Sequence, residues 1–102
     1  MANVCENSMY VQSEDRRNLD HIEKFMKSWA YADIEHIDND TLEIYFDSRW
    51  DFPIDEMNEM VEDLPNKDDI YIRVFSIEYG EYYCAFHVYG FVCNPVYFDG
   101  NV

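Results

Sequence analysis

Apolar residues recur along the chain with two different periods, and each period predicts one kind of element. Four of them follow one another at spacings of three, four and three, namely Leu19, Ile22, Met26 and Trp29. This spacing predicts one face of a helix from about Arg16 to Ser28. Ser13 lies just before it and is a good helix N-cap.

A second helix is predicted after Pro53, a residue favoured at the first helical position. The same three-four-three spacing recurs there at Ile54, Met57, Val61 and Leu64. The dipeptide Pro65-Asn66 then ends the helix, because proline does not continue the helical hydrogen bonding.

Period-two patterns predict the strands. Leu42, Ile44 and Phe46 alternate with polar or amphipathic neighbours, which is typical of a half-buried strand. Shorter strands are predicted at Asn7 to Gln12 and around Ile34, the latter followed by a turn at 38–40. Two longer strands, about 70–78 and 82–92, close the domain through a hairpin turn at 79–81.

The predicted order of elements is β-α-β-β-α-β-β. It indicates an α+β fold, a ferredoxin-like β-α-β-β-α-β sandwich with an additional C-terminal strand and two helices on one face of an antiparallel sheet. We expect one domain over 1–102, with a ferredoxin-like core at 1–92 and a C-terminal tail at 93–102 packed on it. The apolar residues of both helices should lie buried against Leu42, Ile44 and Phe46. The other sheet face should be rich in tyrosine, drawn from Tyr71, Tyr79, Tyr82, Tyr83 and Tyr89.

Composition agrees with a folded domain. Hydrophobic residues make up 48% of the 102 residues and aromatic residues 18%, whereas disordered acidic chains lack aromatic residues. No apolar run approaches the roughly 20 residues that span a bilayer, and the first ten residues do not resemble a signal peptide. Cys5, Cys84 and Cys93 are odd in number and lack a disulfide pattern, so we expect no disulfide and a reducing cytoplasm.

Negative charge is concentrated in the middle of the chain. The net charge is −15, and residues 33–69 hold fourteen of the twenty-two acidic residues but only Arg49 and Lys67 as bases. Such a field repels nucleic acid and anionic membrane and favours a basic partner. Direct nucleic-acid and membrane binding are therefore not expected.

The second helix carries the most unusual acidic pattern. Its predicted outward positions include five acidic residues: Asp55, Glu56, Glu59, Glu62 and Asp63. Carboxylates four residues apart repel one another, and acids in the last turn oppose the helix dipole. Two interpretations remain open: a solvated face that serves solubility, or a face that binds a basic protein surface and in part imitates nucleic-acid phosphates.

Other candidate sites are weaker. Trp50 and Asp51, in the loop before the second helix, are candidate partner-binding residues, although a cap on the core is the favoured role of Trp50. Cys84 and His87 lie three apart on a strand and should point to opposite faces, so no metal site is expected. The sequence shows no complete catalytic constellation, so we expect neither a cofactor nor an enzyme. The tyrosine-bearing face offers a homodimer contact.

Two segments resemble the Api92-like and YubB-like proteins of phages and plasmids. Met1-Ala2-Asn3-Val4-Cys5-Glu6-Asn7 is similar to that family's M-x-N-W-C-x-N, and the segment from Phe46 to Pro53 is similar to its F-x-T-x-W-x-P-P. Val4 departs from the family's Trp and Phe52 from its first Pro. The resemblance implies a ferredoxin-like fold and a mobile-element origin, and it supplies no catalytic residues.

Together these observations predict a small acidic interaction protein that binds a basic surface of a host protein, as an inhibitor or nucleic-acid mimic of the anti-defence type. The alternative is a structural or accessory module whose acidic surface serves solubility. A small-molecule enzyme is the least favoured class.

Overall fold

The computed structural model describes residues 4–29, 31–49, 53–80 and 83–90, and the backbone of 97–101. These residues form two helices and six strands. In chain order they are β1 Val4–Gln12, α1 Arg16–Trp29, β2 Asp33–Asp38, β3 Thr41–Arg49, α2 Ile54–Glu62, β4 Tyr71–Glu78, β5 Tyr83–Gly90 and β6 Tyr97–Asn101.

All six strands form one sheet in the order β2-β3-β1-β4-β5-β6, and every neighbouring pair is antiparallel. The α+β class predicted from the sequence is therefore confirmed. The tail predicted for residues 93–102 includes β6, which pairs with β5 from Tyr83↔Asn101 to His87↔Tyr97. Its position makes β6 one edge of the sheet and β2 the other.

The sheet has two unlike faces. On β1 the odd-numbered residues from Cys5 to Val11 are buried. On β3 the even-numbered residues from Leu42 to Phe46 are buried, and on β4 the even-numbered residues from Ile72 to Glu78. Apolar residues of this face and of both helices form one core, so we call it the helix-covered face. The alternate residues project to the opposite side, which we call the open face.

The predicted core is largely correct. Eight of the eleven residues expected in it are buried: Leu19, Ile22, Met26, Leu42, Ile44, Phe46, Met57 and Leu64. Trp29, the last residue of α1, is 36% exposed, although its ring contacts Phe46 and Phe25 with centroids 5.7 Å and 6.4 Å apart.

The buried side of α2 differs from the predicted one. Met60 is 1% exposed, Val61 is only partly buried and Ile54 is 46% exposed. At 100° per residue, Met57, Met60 and Leu64 define the centre of the buried stripe, and Ile54 and Val61 lie on one of its flanks. The prediction placed Val61 at this centre and was wrong in that respect.

A polar cluster fastens the start of α1 to the segment after α2. Asn18 is fully buried, and its amide nitrogen donates to Asn66 O at 2.7 Å and Asp69 O at 2.8 Å. Ser13 Oγ donates to the same Asp69 carbonyl at 2.6 Å. Asn66 Nδ2 in turn donates to the carboxylate of Asp15 at 3.1 Å. These bonds fix the chain that leaves α2.

Candidate functional site

The most exposed side of α2 is a row of carboxylates. Asp55, Glu59 and Glu62 are all exposed and follow one another at spacings of four and three, opposite the buried Met57 and Met60. We call these three residues the acidic stripe. From its first to its last residue the helix rises about 10 Å. The arrangement presents three like charges to solvent along one line.

Two neighbouring acids lie beside the stripe rather than on it. Glu56 is half-buried on one flank, which corrects the prediction that it points outward. Asp63 is exposed and forms the C-cap, where its backbone N–H donates to Glu59 O at 3.3 Å. Trp50 and Asp51 lie outside the described residues.

The acidic stripe forms no ion pair with a described residue. The ion pairs of the described residues join Arg16 to Asp20, Arg17 to Asp15 and Lys27 to Glu23, and His36 Nε2 lies 3.3 Å from Glu23. The last turn of α2 contains no basic residue, although lysine or arginine is favoured there. The charge of the stripe is therefore exposed without compensation from the described part of the chain.

The helix that carries the stripe is held firmly. Met57 and Met60 are buried in the core, and His21 Nε2 of α1 lies 3.0 Å from Met60 O. Tyr89 on β5 donates its hydroxyl to Asn58 Oδ1 at 3.2 Å. These contacts come from both the neighbouring helix and the sheet, so the stripe is displayed on a rigid element.

The open face is the second exposed feature. Its aromatic residues are Tyr10, Tyr45, Tyr71, Phe75 and Phe86, one or two from each of the four strands β1, β3, β4 and β5. Of the predicted tyrosines only Tyr71 is among them. Tyr89 is 8% exposed in the core, because it lies at an inward position of β5.

The other predicted tyrosines also lie elsewhere. Tyr83 shares the inward alternation of β5 with Tyr89, whereas Tyr79 is in the turn after β4. Tyr82 lies outside the described residues. The prediction of an aromatic face is therefore correct in kind but wrong in most of its members.

Arg73 organises one part of the open face. Its guanidinium carbon lies 4.1 Å from the ring centroid of Tyr10 and 5.9 Å from that of Tyr71. The two tyrosine rings meet edge to face with centroids 6.2 Å apart. A cation over an aromatic face is attracted by the ring quadrupole, so this arginine and the two rings form one stacked unit.

Cys5 and Asn7, both part of the N-terminal motif, point inward from β1. Asn7 is 2% exposed, and its Oδ1 accepts a hydrogen bond from Ser76 Oγ at 2.7 Å. Its Nδ2 donates to Phe46 O at 3.2 Å and Ser48 Oγ at 3.0 Å. One amide thus joins β1 to both of its neighbouring strands, which gives this part of the motif a structural role.

The cysteines and the potential metal ligands do not form a further site among the described residues. Cys84 is a free thiol, Cys5 is buried with its Sγ 3.8 Å from Asn7 Oδ1, and Cys93 lies outside the described residues. In the described part of the chain, no three His, Cys, Asp or Glu side chains come together to hold a metal ion. Among the same residues, neither helix is long and apolar enough to cross a membrane.

Sequence reasoning missed the arrangement of small and large residues on the open face and the buried asparagines. Ser8 lies between Tyr45 and Phe75 in register, and this contrast of a small residue with two large ones appears only once the strands are paired. Asn7 and Asn18 were not predicted as buried, since isolated asparagines are usually exposed. Besides local bonds to Cys5 and Ser13, they bond partners 39 to 69 residues away along the chain for Asn7 and 48 to 51 for Asn18.

The chain was also compared with known proteins. No protein-family model, curated protein or solved structure matched it significantly.

Proposed function

We propose that this protein binds a basic surface of another protein through the acidic stripe of α2. The observation that carries the proposal is the exposure of Asp55, Glu59 and Glu62 in one row without an ion pair to a described basic residue. Like charges four residues apart destabilise a helix, and a cationic partner relieves that repulsion. A net charge of −15 adds long-range attraction for such a partner.

The spacing of the stripe suits a partner that normally binds nucleic acid. Carboxylates four residues apart on a helix are separated by a rise of about 6 Å, a distance on the scale of a phosphate backbone. A rigid helix presents them in fixed positions. We therefore propose an inhibitor or nucleic-acid mimic of the anti-defence type, acting on a basic groove of a host protein rather than on nucleic acid or membrane, and without catalysis.

The finer fold and the origin of the chain belong to the same proposal. The strand order β2-β3-β1-β4, with α1 after β1 and α2 after β3, supports a ferredoxin-like arrangement extended by β5 and β6. Together with the two resembling segments, it supports kinship with the Api92-like and YubB-like proteins of mobile elements. The free thiol of Cys84 supports residence in a reducing host cytoplasm.

The second candidate is a structural or accessory module whose acids maintain solubility. The observation in its favour is that acidic residues are spread over both faces of the molecule, for example Glu35 and Glu43 on the open face. Charge that is spread in this way keeps a protein soluble without a specific partner.

A matched pair of triple variants distinguishes the two candidates. The test variant combines Asp55→Asn, Glu59→Gln and Glu62→Gln. The control combines Glu14→Gln, Asp20→Asn and Asp68→Asn, three exposed acids outside α2 and outside the open face. Each variant removes three negative charges, so net charge is equal. Wild type and both variants are used to capture proteins from host lysate, and captured basic proteins are then purified and titrated.

The proposal expects wild type and control to capture the same basic protein and the test variant to lose it. Binding should weaken steeply between low and moderate salt, because the Debye length is about 10 Å at 0.1 M. Mimicry further expects double-stranded DNA to compete with the protein for its partner. Equal capture by the test variant would reject the stripe as the site and favour the solubility module.

A further inference from the structure

A depression lies on the open face where a small residue is flanked by large ones. Ser8 on β1 is directly opposite Tyr45 on β3 and Phe75 on β4. The cavity above it has a volume of about 180 Å³, and its lining also includes Tyr10, one carboxylate, Glu43, and one cation, Arg73. This volume is comparable with that of cavities known to admit a benzene molecule, so one large side chain fits.

The walls of the depression are unusually exposed. Tyr45 and Phe75 are each 42% exposed, and neither helix covers this side of the sheet. Exposed aromatic residues that adjoin one another mark interaction sites more often than isolated apolar residues do. Tyrosine and arginine are also enriched where proteins bind one another.

The acidic rim indicates what kind of partner fits. Glu35 lies directly opposite Glu43 across β2 and β3, and Glu6 lies directly opposite Asp47 across β1 and β3. Like charges in directly opposite positions destabilise a sheet. These four acids outnumber Arg49, the basic residue of β3 on the same face, so the β1–β3 half of the open face complements positive charge.

The face already shows how a cation is held. Arg73 stacks on Tyr10 with 4.1 Å between its guanidinium carbon and the ring centroid. Tyr45, in the adjacent row, has its hydroxyl bonded to Glu43 at 3.0 Å. An aromatic ring and a carboxylate therefore lie side by side. The ring can pack against the alkyl stem of a lysine or arginine, and the carboxylate can bind its charged head.

We propose that the open face is a docking surface for a basic segment of a partner protein, one of whose lysine or arginine side chains enters the depression above Ser8. A second copy of the chain is a poorer occupant, because both copies carry the same acidic rim and the same net charge of −15. Single-stranded RNA, although it stacks on aromatic sheet faces, is repelled by the same carboxylates.

This inference rests on the proposed function only in that the partner is basic. The acidic stripe belongs to a helix on the helix-covered face, on the other side of the sheet from Ser8. A change on one side leaves the other side intact, so the two sites are tested separately in one experiment.

The experiment is a nuclear magnetic resonance titration of the isotopically labelled protein with hexa-arginine and hexa-lysine peptides. The open-face variant combines Tyr45→Ser and Phe75→Ser, and the Asp55→Asn, Glu59→Gln, Glu62→Gln variant serves as its counterpart. A further variant, Ser8→Lys, fills the depression with a cation from the chain itself. Circular dichroism and thermal unfolding verify that each variant is folded.

We expect amide shifts around Ser8, Tyr45 and Phe75 in wild type and in the stripe variant. Affinity at this site should fall about tenfold or more in the open-face variant and in Ser8→Lys. Shifts confined to α2 would overturn the inference and leave the proposed function standing. Shifts confined to the open face would support the inference and argue against the acidic stripe as a binding site. The absence of any shift would reject both sites.

Two further outcomes also decide against the inference. Shifts at the same residues that depend on protein concentration alone, with a dimer in sedimentation, would assign the open face to a second copy. Tighter binding of an oligouridylate of matched length than of the peptides would assign it to RNA.

Discussion

Asn18 and Asn66 hold each other through two hydrogen bonds. The amide nitrogen of Asn18 donates to Asn66 O at 2.7 Å, and the backbone N–H of Asn66 donates back to Asn18 Oδ1 at 3.0 Å. The pair joins the first turn of α1 to the segment that follows α2. It therefore fixes the path from the acidic stripe into β4.

Replacement of Asn18 by Ala should lower the free energy of unfolding by about 2–4 kcal/mol. The substitution leaves the backbone N–H of Asn66 and the carbonyls of Asn66 and Asp69 without the buried amide, and each unsatisfied buried group costs about 1–3 kcal/mol. Urea unfolding measures the change. Asp20→Ala on the same helix is the control, expected within about 0.5 kcal/mol of wild type. A loss for Asn18→Ala no larger than that of the control would show that the pair is dispensable.

Asp15 should make stability depend on pH. Hydrogen bonds from Arg17, and then from Asn66, hold the pKa of its carboxyl well below the ordinary value of 3.8. A carboxyl group whose pKa is lowered in the folded state stabilises the protein at pH values above its unfolded pKa. This stabilisation is lost as the pH falls towards the folded pKa. The stability difference between wild type and Asp15→Asn should therefore shrink between about pH 5 and pH 2.

The same measurement in an Arg17→Ala background identifies the cause. Because Arg17 is the largest source of the shift, the difference should depend less on pH once it is removed. An unchanged pH dependence in that background would assign the effect to other groups.

The phase of α2 can be tested with two truncations. Met60→Ala should lower the free energy of unfolding by about 2–4 kcal/mol, because Met60 is 1% exposed and its removal leaves a cavity. Ile54→Ala removes a similar apolar volume from a residue that is 46% exposed, and should cost less than about 1 kcal/mol. Thermal or urea unfolding compares the two. Equal losses would place Ile54 on the buried side, as the sequence pattern alone suggested.

The two ends of the acidic stripe should respond in opposite directions to the same change. Glu62→Lys places a cation at the negative end of the helix dipole and should raise stability by about 0.5–1 kcal/mol. Asp55→Lys removes an acid from the first turn, where it is favourable, and should leave stability equal or lower by about 0.5 kcal/mol. Unfolding at low salt measures both. Equal gains from both changes would indicate that net charge, rather than the dipole, controls stability here.

The order of elements could be predicted from the sequence because periods of two and of three to four are local. The phase of α2 could not, since Met60 and Val61 are adjacent apolar residues and either of them fits the spacing from Met57. β6 was not predicted because Asp99 and Gly100 interrupt its short pattern, and its pairing with β5 comes from outside the segment.

The candidate sites also differ in how far local sequence patterns predict them. The acidic stripe follows from helical spacing and was largely predicted, with Glu56 as the exception. The open face depends on the lateral neighbours of each strand residue, such as Ser8 beside Tyr45 and Phe75. That information is contained in strand register and strand order, which no local pattern specifies.

Strand β2 forms one edge of the sheet, and apart from Ile34 its residues are exposed. An edge strand has unpaired backbone groups on its outer side and is a template for aggregation. Asp33, Glu35 and Asp38 place carboxylates along this edge, and the register shifts between His36 and Asp38. An incoming strand from another copy would meet repulsion and an irregular backbone. Part of the protein's negative charge thus keeps the sheet from growing sideways into a fibril.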